Sequence, residues 1–255
     1  LDAVSLPGTT VGEHVFCSEI GDVVGDGWFD VVTAGTRGVI AFTPARAGQA
    51  IQISPNLVPS PQSALSVMRL EDIDLDGDLD LLASGFAEET GAFLKVFENR
   101  GDGQNWTPVD IARPATRVAE ERVVGLEPFC FCTPEQLAIL ALSGKGAPVV
   151  VRAAPRGKLA RIGLDGGRSS RDGLGTVVDI AQGSHWQRRV LSDRGAGQSG
   201  CTLAIGLRDG TPVDLVRITW TSGIRQSVPD TALSIADSRL VVVEKPGETS
   251  SCPFV

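Results

Sequence analysis

Five aspartates stand at alternate positions of one nine-residue stretch, Asp72-Ile-Asp74-Leu-Asp76-Gly77-Asp78-Leu-Asp80. A hard cation such as calcium takes about six to eight oxygen ligands at roughly 2.3–2.6 Å, and alternate acidic residues on a tight loop supply them from one side. Asp72, Asp74 and Asp76 are expected to give side-chain oxygens, and Gly77 permits the sharp turn. The backbone carbonyl of Asp78 and the carboxylate of Asp80 would close the shell. Ile73, Leu75 and Leu79 would turn away and anchor the loop. Five carboxylates this close repel one another without a counter-ion. An EF-hand is excluded, because its loop ends in glutamate at a position held here by Ala83, and no helical pattern flanks it.

The segment Glu19–Gly35 (EIGDVVGDGWFDVVTAG) lies over Glu71–Gly85 (EDIDLDGDLDLLASG) with a step of about 50 residues. Asp22, Asp26, Gly27 and Asp30 match Asp72, Asp76, Gly77 and Asp80, but Val24 replaces the second ligand. A calcium site at Asp22, Asp26 and Asp30 is therefore expected to be the weaker one, since affinity follows ligand charge and number. In a fainter third copy, Leu126-Glu127 echoes Leu70-Glu71 and Leu140–Gly144 echoes Leu81–Gly85. It carries Pro128, Cys130 and Cys132 where acidic residues would stand, so no calcium is expected there.

The elements that must position these loops are strands. Short Val-, Ile-, Leu- and Thr-rich segments alternate with Gly, Pro, Asp and Ser: Asp30–Ala34, Val39–Thr43, Leu79–Ala83, Phe93–Phe97, Val149–Arg152, Val213–Trp220 and Leu240–Glu244. Strands so spaced indicate an all-β protein. One helical turn is expected near Pro134–Leu140. Three units of roughly 50 residues, each of several strands, fit successive blades of a partial β-propeller over residues 1–164. A separate β domain is expected over 165–246, starting at the turn Gly166-Gly167, with a tail over 247–255.

The complete loop resembles the metal loop D-x-D-x-D-G-x-x-D of FG-GAP/VCBS repeats in integrin-type β-propellers. The C-terminal region resembles the ASPIC/UnbV domain of cartilage-acidic-protein-like and bacterial extracellular proteins. That second resemblance rests on Arg171-Asp172-Gly173-Leu174-Gly175, Gly195–Ser199, Ala204-Ile205-Gly206-Leu207 and Val216–Gly223 (VRITWTSG). The last is close to a V-x-W-P-S-G signature, with Thr221 in place of proline. The resemblances imply a seven-bladed parent, of which three blades form an arc. Val24 and the third loop depart from the family pattern, so its metal sites do not carry over there.

Composition agrees with a folded chain: 255 residues, 42% hydrophobic and 21% charged. The net charge of -8 and scattered basic residues exclude a nucleic-acid footprint. No apolar run reaches the roughly 18–20 residues of a membrane span. The chain begins at Leu1 rather than Met, read as processing, truncation or incompleteness. Five cysteines fit one or two disulfides plus an odd thiol in an oxidising compartment, or five buried free thiols; a Cys201–Cys252 bridge is one expectation. Gly195–Gly200 spells G-x-G-x-x-G, but strand-like flanks make it a turn rather than a dinucleotide site. Cys130-Phe-Cys132 lacks the second Cys or His pair of a zinc site. His14 and His185 alone cannot build a histidine-rich metal centre. Trp28, Trp106, Trp186 and Trp220 are expected to pack in the core or on strands, and Arg171–Gly175 to be a structural turn.

The expected function is an extracellular or cell-envelope, calcium-binding, non-enzymatic module for adhesion or scaffolding, with a protein or glycan partner. A structural subunit of a larger envelope or membrane complex is one alternative. An accessory domain of a secreted hydrolase is the other.

Overall fold

The computed structural model describes residues 15–35, 38–43, 49–54, 64–87, 91–101, 103–109, 123–130, 137–143, 148–192, 202–228 and 239–245. Every regular element among them is a strand. No helix among them is long and apolar enough to cross a membrane.

Strands β1 (Val15–Gly21), β2 (Asp30–Gly35), β3 (Gly38–Thr43) and β4 (Gln49–Ser54) form an antiparallel meander in chain order. A second meander repeats it with β5 (Ala64–Glu71), β6 (Asp80–Ala87), β7 (Gly91–Asn99) and β8 (Trp106–Val109). The two acidic stretches are the β1–β2 and β5–β6 loops. Each is closed at its base by the same pair, Gly21 opposite Asp30 and Glu71 opposite Asp80. Ile20 then faces Val31 as Leu70 faces Leu81, so the 50-residue step survives in strand register. Successive side chains leave opposite faces of a strand, and this alternation lets the second sheet pack on both neighbours. Met68, Leu70, Leu79 and Leu81 join Val23, Val32 and Ala34 of the first sheet. Ile73, Leu82 and Val96 join Leu126, Ile139, Ala141 and Val151 of the third.

The third sheet comprises β9 (Val123–Cys130), β10 (Leu137–Ser143) and β11 (Val149–Val151), also antiparallel neighbours. Two expectations need correction here. The helical turn near Pro134–Leu140 is not found in the described part, because residues from Leu137 on are strand. The Leu140-to-Leu81 match is one residue out of register. Leu126 stands opposite Ala141 as Leu70 stands opposite Leu81, so Ala141 is the counterpart of Leu81. A one-residue slip exchanges the two faces, and Ile139 and Ala141 are the residues of β10 that pack with Ile73, Leu82 and Val96 of the second unit.

The C-terminal region uses β12 (Gly157–Asp165), β13 (Val177–Gln182), β14 (His185–Val190), β15 (Thr202–Arg208), β16 (Leu215–Thr219), β17 (Arg225–Val228) and β18 (Arg239–Val243). They make two sheets, ordered β15-β12-β18 and β14-β13-β16-β17, around a core with Ile162, Ile180, Ile205, Ile218 and Trp220. β12 crosses the expected 164/165 boundary, and its partners β15 and β18 both lie beyond it. Arg171–Gly175 is a turn, with Gly173 and Gly175 at φ +66° and +82°. Trp220 is core and Trp106 and Trp186 are half-buried, but Trp28 is largely exposed, contrary to expectation. Cys17 is a free thiol. His14, Cys132, Cys201, Cys252, Gly195–Gly200 and the tail 247–255 lie outside the described residues.

Candidate metal centre

The β5–β6 loop turns through Leu75 at φ +63° and Gly77 at φ +94°, which folds the chain back over itself. Asp72, Asp74 and Asp80, all buried, thereby place carboxylate oxygens within 4.8 Å of one another. Asp76 and Asp78 do not join this group. Asp76 Oδ1 accepts the Asp78 N–H at 3.0 Å, and Asp78 Oδ2 accepts Arg208 Nη2–H at 2.8 Å. The Asp78 side chain thus faces the C-terminal sheets, in keeping with a ligand role for its backbone carbonyl alone.

Asp80 Oδ2 accepts the Ile73 N–H at 3.0 Å and Oδ1 the Asn99 N–H at 2.9 Å, which sets the loop's width. Asp72 Oδ2 accepts the Gly77 N–H at 3.1 Å, and Asp74 Oδ1 the Asp76 N–H at 3.2 Å. Asp72 Oδ1 and Asp74 Oδ2 are buried and receive no hydrogen bond. Arg156 Nη1 approaches Asp74 Oδ2 to 3.2 Å, near enough for ionic attraction but without hydrogen-bonding geometry. A buried anionic oxygen without a partner is costly, and either a bound cation or a proton removes the cost. The donor set is all oxygen, which suits calcium rather than a thiolate- or imidazole-preferring metal.

Electrostatics point the same way. Burial, then repulsion from Asp76, raises the Asp74 carboxyl to about 6 despite Arg156. Burial and Asp76 raise Asp78 to about 6, against the pull of Arg208. Burial pushes Asp72 and Asp80 well above the ordinary carboxylate range. Such a cluster is hard to keep fully ionised at neutral pH without added positive charge.

The β1–β2 loop solves the same problem with its own backbone. Asp22 Oδ1 accepts N–H groups from Gly25 and Asp26 at 2.9 and 3.2 Å; Oδ2 accepts those of Gly27 and Arg188 at 2.9 and 3.2 Å. Asp30 Oδ2 takes the Val23 and Val24 N–H groups, and Asp26 Oδ1 that of Trp28. Val24, at the second ligand position, is packed between the first two sheets. Of the buried oxygens of this loop, Asp30 Oδ1 remains without a hydrogen bond. Burial raises Asp22 to about 6 and Asp30 to about 7. Backbone donors occupy most of what an ion would use there.

Several residues that pattern reading passed over complete the site. Asn99, fully buried, donates from Nδ2 to the Val23 and Leu79 carbonyls at 2.7 and 3.2 Å and joins the two loops. Its position before the positive-φ glycines Gly101 and Gly103 was the available signal. The C-terminal sheets then close over the loops. Arg156 N–H donates to the Asp74 carbonyl at 2.6 Å, Arg208 Nε–H to the Asp76 carbonyl at 3.2 Å, and Trp186 N–H to the Gly25 carbonyl at 3.2 Å. Arg189 Nη2 lies 3.9 Å from Asp72 Oδ2. His185 sits 3.3 Å from the Gly77 carbonyl and 3.5 Å from Asp78 Oδ1. Burial, then Arg208, lowers its pKa to about 4, so it meets Asp78 as a neutral ring.

Residues 166–249 match the family profile of ASPIC and UnbV, which supports the C-terminal β unit as that domain. The match begins beyond both acidic loops. No curated protein matches the chain.

Proposed function

We propose that this chain is a calcium-stabilised arc of FG-GAP/VCBS-like propeller blades carrying a C-terminal ASPIC/UnbV domain. It acts outside the cell or in its envelope as a non-enzymatic binding or scaffolding module. The observation that carries the reading is the buried Asp72–Asp74–Asp80 group with two oxygens that accept no hydrogen bond. Calcium is held by the side chains of Asp72, Asp74 and Asp80, joined by Asp76 and the Asp78 carbonyl as the loop tightens. It binds at Asp72–Asp80 in preference to the Asp22–Asp30 loop. Its role is structural: it fixes the loop against which the C-terminal domain rests. The meander order of the sheets and their face-to-face packing support the blade reading. The partner is a protein or a glycan, met on the surface that the fixed loops create.

Thermal unfolding with calcium and with chelator tests this. An ion binding only the folded state at ~100 times its Kd adds about 2.7 kcal/mol. Asp74→Ala should abolish the calcium-dependent rise in Tm, and Asp26→Ala should leave most of it. A fully stripped wild-type protein whose melting ignores calcium would refute the reading.

A further inference from the structure

Over the outer side of the acidic loop opens a cleft of about 350 Å³, lined by Asp76, Asp78, Arg100, Arg156, Arg208 and Asp209. Arg156 reaches furthest into the carboxylate group. Its Nη1 lies 3.2 Å from Asp74 Oδ2, the same oxygen that lacks a hydrogen bond, and 3.8 Å from Asp76 Oδ2. Its Nη2 donates to Glu98 Oε2, which offers a second resting place. The backbone beneath is fixed: Arg156 N–H is bonded to the Asp74 carbonyl, and a Cβ on Gly157 would fall 2.1 Å from the Leu75 carbonyl. The side chain is 42% exposed, so a firmly tied backbone carries a guanidinium that can swing on the wet side.

We propose that Arg156 is a tethered cation that occupies the outer face of the calcium site and sets its affinity. The inference rests on the loop being a calcium site. An entering ion takes the free oxygen of Asp74, and the guanidinium withdraws toward Glu98. Without calcium, Arg156 is the counter-charge that keeps the buried carboxylates tolerable. Because Arg156 immediately precedes β12, the exchange is felt at the first strand of the C-terminal unit.

The test is calcium calorimetry on the whole chain as wild type, Arg156→Gln, Arg156→Lys and Arg100→Gln, at one pH and salt. Removing a positive charge a few ångströms from a divalent ion, partly screened by water, should tighten binding by roughly tenfold. Arg156→Lys keeps the charge without the two-pronged fork and should fall between the two. Arg100→Gln removes the same charge from the same cleft, and should change affinity by less than about twofold. In chelator Arg156→Gln should melt below wild type, with the gap closing as calcium is added. Unchanged or weaker binding in Arg156→Gln would overturn the proposal, as would equal tightening in Arg100→Gln. If neither wild type nor variants bind calcium, the calcium reading falls and this proposal falls with it.

Discussion

Glu244 Oε2 accepts three consecutive backbone N–H groups, from Gly167, Arg168 and Ser169, at 2.7, 2.7 and 2.8 Å. Its Oε1 accepts the hydroxyls of Ser169 and Ser222. Asp72 Oδ1, shut away more deeply, accepts nothing. The two carboxylates are opposite cases of one rule: a buried anion must be met by donors or by a cation. Burial alone would raise the Glu244 carboxyl, but the Ser169 N–H, the Ser222 hydroxyl and the Arg168 and Gly167 N–H groups outweigh it and hold it at about 2. The unfolded value is about 4.3. A depressed folded pKa contributes stability that is present above the unfolded value and lost as pH falls toward the folded one. Glu244→Gln should therefore unfold more easily than wild type at pH 7, and the difference should shrink between about pH 4.3 and 2. Urea unfolding at stepped pH measures it; a difference independent of pH would show that shape, not charge, holds the clasp.

At the scale of elements, the acidic loops are read off the sequence and their setting is not. Local spacing sufficed for the β1–β2 and β5–β6 loops, because ligand pattern, turn glycine and following strand all lie within about fifteen residues. It sufficed also for the Arg171–Gly175 turn before β13. It failed on β10, where apolar residues in a row carry no register, and Leu140 and Ala141 look alike until paired with β9. The arginines on the β5–β6 loop were beyond reach altogether, since Arg208 and Asp78 are 130 positions apart. Periodicity reports which face is buried, not which distant strand covers it. The covering strand β15 fits the loop through the absence of a side chain. A Cβ on Gly206 would lie 2.1 Å from Asp72 Oδ2 and 2.6 Å from Leu75 backbone. Gly206→Ala should cost about 1–3 kcal/mol, as overpacking does, and, under the proposed function, should weaken calcium binding by displacing Asp72. Gly125→Ala, whose nearest neighbour would be Leu142 at 3.4 Å, is the matched control and should cost little. Equal losses in the two variants would show that the loop yields to β15 rather than fitting it.

Across the whole molecule, one packing mode recurs between the first and second sheets and then stops. Leu70 and Leu81 face the first sheet and are buried there. The 50-residue step places Ile20 and Val31 at the corresponding positions of the first sheet, on its far side. Leu70 is 7% exposed, whereas Ile20 is 66% exposed, with Val15 and Phe16 of the same strand also open. The first sheet thus presents the face by which the second docks, and among the described residues nothing covers it. Exposed apolar strand surface of this kind invites association. The two positions should respond unequally to substitution. Leu70→Ala removes buried methyl groups and should cost about 2–5 kcal/mol. Ile20→Asn acts on exposed surface and should stay within about 0.5 kcal/mol. Urea unfolding at two protein concentrations measures both. A cost for Ile20→Asn that matches Leu70→Ala and grows with concentration would mean that a second copy covers this face, in place of an open arc.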